Sequence, residues 1–162
     1  MSALIQNQQI SPDNFTTLAD DSVLPASGKV IVSLARWQSE AEALRDSGLN
    51  VGVRLPNTAD LATVWSVLSD RQLIALEFPS FGDGRAYSQA RLLRDRYGFK
   101  GEIRATGAAV VRDQLHNMHR SGINAFALRA DQDPRTCLTA FRDFTLAYQP
   151  AADTLKPVPT LR

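Results

Sequence analysis

One cysteine (Cys137) and two histidines (His116 and His119) are the only thiol and imidazole side chains in 162 residues. A lone thiol excludes an internal disulfide and any multi-cysteine cluster built by this chain alone. The histidines stand three positions apart, and Arg112 and Arg120 are close by to oppose a cation. Two ligands beside positive charge do not make a metal site, so they read as a solvated helix face. An excess of charge is missing too: 18 Lys and Arg against 17 Asp and Glu leave a net charge of +1. Nothing global therefore steers the chain to nucleic acid or an anionic membrane, although a local basic site can hide in such a total. No apolar run approaches ~18 residues, so no transmembrane helix is expected. The opening Met-Ser-Ala-Leu-Ile-Gln-Asn lacks the basic region and long apolar core of a signal peptide, and a cytoplasmic location is the default expectation. Neither Gly-x-x-x-x-Gly-Lys-Ser/Thr nor Gly-x-Gly-x-x-Gly occurs, so no nucleotide cofactor is indicated.

What is present is ordinary globular material, with 44% hydrophobic and 22% charged residues. The length suits one domain. Residues 1–28 are polar and turn-rich (Ser11-Pro12-Asp13-Asn14, Asp20-Asp21, Pro25), which predicts an irregular arm, with a short hairpin near Ile10 and Phe15. From residue 29 to 149 apolar runs of strand length alternate with helical periodicity. Strands are predicted at Val30–Leu34, Leu49–Leu55, Leu73–Phe78, Glu102–Thr106 and Ile123–Leu128. Helices are predicted at Gln38–Ser47, Thr58–Ser69 (capped by Asn57 or Thr58), Arg85–Tyr97, Ala108–Arg120 and from Pro134 to Tyr148. Residues 150–162, with three prolines, predict an extended tail. Five such units imply an α/β domain with a mostly parallel sheet. They are too few for an eight-stranded barrel, so an open sheet or a partial barrel is expected. Either leaves edges that a second copy could cover, which makes a homodimer one expectation.

Each predicted strand carries a charge at or near its C-terminal end: Arg36, Arg54, Glu77, Arg104 and Arg129. Ligands of parallel sheets and barrels gather at that end. Four guanidinium groups there would suit an oxyanion, with Glu77 fixing one of them or serving as a base. The competing reading is plain punctuation, because strand ends are exposed and charges there pair locally. The loop Gly82-Asp83-Gly84-Arg85 opens a helix whose free N–H groups suit an anion. Tyr87, Ser88 and Arg91 stand one turn on, and Asp83 is the second candidate base. Ser88 lacks the Gly-x-Ser-x-Gly elbow of a hydrolase and reads as a contacting hydroxyl. Cys137 reads as a small core residue near a helix start, although such a position can also activate a thiol.

The run Asp83-Gly84-Arg85-Ala86-Tyr87-Ser88-Gln89-Ala90-Arg91-Leu92-Leu93-Arg94, with Arg112-Asp113-Gln114-Leu115, resembles the core motif of the bacterial DUF934 family. Val32–Trp37, Gly52–Leu55, Ala125–Arg129 and Ala147-Tyr148-Gln149 are similar to it as well, so the resemblance spans roughly residues 29 to 149. It implies an uncharacterised protein, loosely described as an oxidoreductase, encoded beside assimilatory sulfite or nitrite reductase. No catalytic residue is carried over. Where the family pattern has an acidic residue after Gly107, this chain has Ala108 and Ala109, and Ser121 stands in place of a cysteine before Gly122. If that acid or thiol takes part in the family's chemistry, this member would bind without catalysing.

Two functions follow as expectations. The first is an accessory protein of sulfur assimilation that holds a small oxyanion, or docks sulfite or nitrite reductase, at the strand C-terminal face. The second is an enzyme on a small anionic substrate, with Glu77 or Asp83 as base and a borrowed cofactor. Neither calls for nucleic acid, membrane or metal.

Overall fold

The computed structural model describes residues 3–155, Pro157 and Val158. The remainder of the predicted tail, Lys156 and residues 159–162, lies outside the described residues, as do residues 1 and 2.

The chain opens with a hairpin. Strand β1 (Leu4–Gln6) turns back into β2 (Gln9–Ser11) through Asn7 and Gln8. Both turn residues have positive φ, 49° and 60°, the geometry that matches the twist of a two-residue hairpin. The short β3 (Thr16–Thr17) is the only other strand before residue 29 among the described residues. Strand–helix units follow: β4 (Lys29–Ser33), α1 (Leu34–Ser39) and α2 (Ala41–Asp46); β5 (Asn50–Leu55) and α3 (Leu61–Leu68); β6 (Leu73–Glu77) and α4 (Arg85–Asp95); β7 (Glu102–Thr106) and α5 (Arg112–Arg120); β8 (Ala125–Ala127) and α6 (Pro134–Thr139), which continues as a tighter 3-10 turn over Ala140–Arg142.

The eight strands of the described residues form one sheet in the order β2-β1-β8-β7-β6-β5-β4-β3. Strands β3 to β8 run parallel and β1 runs antiparallel to β8. The parallel strands are neighbours in chain order, with no reversal of the kind that creates a switch point in doubly wound sheets. The sheet curls into an open half-barrel. Its edges, β2 and β3, are only three and two residues long, and so short an edge offers little template for pairing with another chain.

Strand alternation divides the sheet into two faces. Val30, Val32, Val51, Val53, Leu55, Ile74, Leu76, Ile103, Ala105 and Phe126 join Leu44, Leu61, Leu68, Ala86, Ala90, Leu93, Leu115 and Met118 of the helices in the main core. The opposite face holds a small second cluster, Ile31, Leu73 and Ala75, covered by Phe15 of the N-terminal arm. Gly52 belongs to that row, since a Cβ there would meet Leu73 Cδ2 at 2.7 Å.

Several helix boundaries differ from the sequence expectation. The first predicted helix is two short ones meeting at Glu40, because Ser33 caps a turn directly after β4 by accepting from the Arg36 N–H at 3.0 Å. Asp60, rather than Asn57 or Thr58, caps α3. The last helix stops well short of Tyr148, and the Arg112–Asp143 ion pair at 2.9 Å holds the segment that follows. Residues 149–153 pack back on α5: Arg120 donates to the Gln149 carbonyl, and Ala152 donates to the Arg120 carbonyl. The irregular arm is confined to residues 12–28, interrupted by β3, because residues 4–11 add to the sheet edge.

Candidate functional site

The in-register pairing of β4 to β8 places Ser33, Arg54, Ala75, Arg104 and Ala125 in one row across the sheet. One step toward the strand ends, Glu77 lies beside Thr106. These positions alternate with the core residues named above, so their side chains stand on the face without helices. The sequence rule that charges gather at strand ends thus becomes a local geometry. Three predicted residues, Arg54, Glu77 and Arg104, share the concave face of the half-barrel, and Arg129 follows β8 at its rim.

A cavity of about 390 Å³ opens at the ends of β7 and β8, lined by Asp13, Thr17, Ile31, Arg104, Thr106, Gly107, Ala108, Ala127, Leu128 and Arg129. Arg104 is its buried cation, with a side chain 3% exposed. Its Nε donates to Glu102 Oε1 at 2.7 Å and its Nη1 to Asp13 Oδ1 at 2.9 Å, while the Phe15 ring lies 5.3 Å from the guanidinium carbon. Among the described residues, Arg104 Nη2 donates no hydrogen bond. The N–H groups of Gly107 and Ala108 at the cavity wall likewise have no acceptor among the described residues. Successive free N–H groups beside a guanidinium make an anion-accepting surface. Arg129 forks onto Asp131 at 2.6 and 2.8 Å and also donates to the Ala108 carbonyl. Beside this cavity a smaller one of about 270 Å³ is lined by Asp20, Ser33, Gln38, Arg54 and Glu77 among others. There Arg54 Nε lies 3.0 Å from Glu77 Oε1.

The charges are compensated, which changes the picture of four converging free arginines. Arg54, Arg104 and Arg129 face four carboxylates: Glu77, Glu102, Asp13 and Asp131. Glu77 is held in an ion pair rather than standing free as a base. Arg36 does not join the site. It lies one turn into α1, and its guanidinium points at the arm, donating to the Ala19 and Ser22 carbonyls at 2.7 Å each and to Glu40. Its position three residues past the true end of β4 explains the difference, since the helix turns it away from the mouth.

The Gly82-Asp83-Gly84-Arg85 loop is also self-satisfied. Arg85 forks onto Asp83 at 2.9 and 2.6 Å, and the Arg85 guanidinium holds the Asp83 carboxyl well below the usual carboxylate range. An aspartate already occupies the region where an anion was expected. The later residues of that motif face elsewhere. Tyr87 packs edge-on against Phe78 and donates to Gln114 Oε1, and burial raises its phenol pKa. Arg91 pairs with Asp95 at 2.7 Å. Tyr87 and Arg91 line a separate cavity between α4 and α5, closed by Gln149 and Pro150. Ser88 and Arg85 line another between the starts of α3 and α4.

Sequence reasoning missed Asp13, Thr17, Thr106, Gly107 and Ala108. Asp13 read as part of a turn, and nothing in its neighbourhood signals a partner so far along the chain. Gln89 was missed as well. It sits on the buried side of α4, and its Nε2 donates to the Pro56 and Ala59 carbonyls at 3.0 and 2.9 Å. A glutamine among inward-facing alanines was the available signal. Cys137 is buried, and burial pushes its thiol up, in keeping with a core role. Burial likewise pushes His119 down, and His116 packs on Phe144. No group of three or more His, Cys, Asp or Glu suited to a metal occurs among the described residues. No described helix is long and apolar enough to cross a membrane.

A family model described as a bacterial protein of unknown function, DUF934, matches residues 52–159, which takes in most of β5, strands β6 to β8 and the whole cavity wall except the arm and Ile31. No curated protein matches the chain.

Proposed function

We propose a binding role for this chain, which belongs to the DUF934 family of bacterial proteins: it holds a small oxyanion at the mouth of its half-barrel, as an accessory to assimilatory sulfite reduction. The observation that carries the binding role is Arg104. A guanidinium buried on a sheet face, with one nitrogen unused and two free backbone N–H groups at the same cavity, is built to receive oxygen atoms. The sulfur-assimilation setting comes from the family resemblance alone. The same end of the sheet would face sulfite or nitrite reductase, and Phe81, 68% exposed in the β6–α4 loop, is a side chain suited to such a partner.

The test is thermal unfolding at low ionic strength with sulfite, sulfate or phosphate at ~10 mM. A ligand stabilises by RT ln(1 + [L]/Kd), so binding in the millimolar range raises the midpoint measurably. The rise should vanish in Arg104→Met, compared with its own anion-free midpoint. An unchanged wild-type midpoint with all three anions removes the proposal. Pull-down of sulfite reductase tests the docking half separately, with Phe81→Ser expected to weaken it.

A further inference from the structure

The concave face is closed by a part of the chain that the binding role does not use. Residues 12–18 cross it as a strap, tied at both ends. The β1–β2 hairpin fixes the start. Beyond the strap, Arg36 grips the Ala19 and Ser22 carbonyls. Between these anchors four contacts hold the segment down: Asp13 on Arg104, Phe15 on Ile31, Leu73 and Ala75, the two-residue pairing of β3 with β4, and the Leu18 N–H on the Ile31 carbonyl at 2.9 Å. Asp13 and Thr17 form one wall of the cavity whose opposite wall is Thr106 to Ala108 and Arg129.

We propose that Asp13 is an internal stand-in for the oxyanion: its carboxylate occupies the Arg104 guanidinium in the empty protein, and an entering oxyanion displaces it and lifts the strap. This rests on the binding role proposed above. The physical reason is charge. Arg104 already faces two carboxylates, Asp13 and Glu102. Glu102 is two residues away on the same strand and is further held by Gln6 Nε2 at 2.8 Å, so it stays. Adding an anion beside both carboxylates would repel; exchanging it for Asp13 keeps the balance. Asp13 is the exchangeable partner because it comes from an irregular segment and its side chain is 31% exposed. Its Oδ1 also accepts from the Phe15 N–H at 3.0 Å, so Asp13 and the aromatic cover move as a unit.

The experiment titrates sulfate into wild type, Asp13→Asn, Asp13→Glu and Arg104→Met by calorimetry, with hydrogen exchange on the same samples. Asp13→Asn removes the competing charge and keeps the size, so sulfate should bind at least about tenfold tighter, the gain expected when a competent state populated to a tenth or less becomes dominant. Asp13→Glu should bind like wild type, and Arg104→Met not at all. Sulfate should speed exchange of the Leu18 amide in wild type and leave the β1–β2 hairpin protected. If wild type and Asp13→Asn bind sulfate equally and Arg104→Met does not bind, the stand-in fails while the binding role survives. Absence of sulfate binding in every form overturns both. Tighter binding without faster Leu18 exchange overturns the lifting of the strap.

Discussion

Asp13 Oδ1 and Arg104 Nη1 lie 2.9 Å apart although 91 positions separate them in the chain. The contact joins the least regular part of the molecule to the centre of its sheet. It also makes Arg104 a structural as well as a ligand-facing residue, because a buried guanidinium is tolerated only when its charge is answered.

Replacement of Arg104 by alanine should therefore destabilise the protein by about 3 kcal/mol, the lower end for breaking a buried ion pair, since Asp13 reaches solvent. Asp13→Ala should cost less, because Glu102 still answers the guanidinium. Urea unfolding of the two variants checks the order. A larger loss for Asp13→Ala than for Arg104→Ala would contradict the arrangement.

Gly107 ends β7 with φ +110°, and a Cβ there would stand 2.6 Å from the Phe78 carbonyl oxygen. Neither the conformation nor the backbone contact can yield cheaply. Gly107→Ala should lose roughly 1–3 kcal/mol of stability and disturb the cavity wall. Gly82→Ala, with open space around its Cβ, is the matched control and should be nearly neutral.

The Arg129 fork depresses the Asp131 carboxyl from its ordinary 3.8 to about 2. A depressed folded value means the ion pair's contribution is full above the unfolded pKa and disappears as pH falls through the folded one. The titration midpoint of Asp131, followed by carboxyl-carbon NMR, should lie near 2 in wild type and return toward 3.8 in Arg129→Gln. The pair is exposed, so high salt should narrow the gap between the two proteins.

Cys137 is buried in the core with its thiol pushed up. Its reaction with a disulfide reagent at pH 8 should be slow in the native protein and complete within the mixing time in denaturant. Fast native labelling would mean that α6 opens readily or that the thiol is exposed.

Strands β4 to β8 were legible because each is a bounded apolar run, and β6 and β7 fall where periodicity puts them, within a residue; β3, two threonines in the arm, was not. The helix ends were less so. Asp60 caps α3 through a side-chain contact that Asn57 could have made equally well on composition alone. The site divided in the same way. Arg54, Glu77 and Arg104 were visible as charges at strand ends. Arg36 was misplaced because α1 begins at Leu34, directly after β4, and its first turn carries Arg36 off the mouth and into the arm.

What the amino-acid sequence determined by itself is the succession of strands and helices, and hence a parallel sheet with its charged residues at one end. Local burial and periodicity suffice for that. Only the tertiary structure decided that the sheet runs in chain order as a half-barrel and that the arm closes its open face. It alone decided that Arg54 is answered by Glu77 and Arg104 by Asp13, carboxylates far away in the chain. Ion pairs such as Asp13–Arg104 depend on distance in space, and no spacing along the chain encodes them.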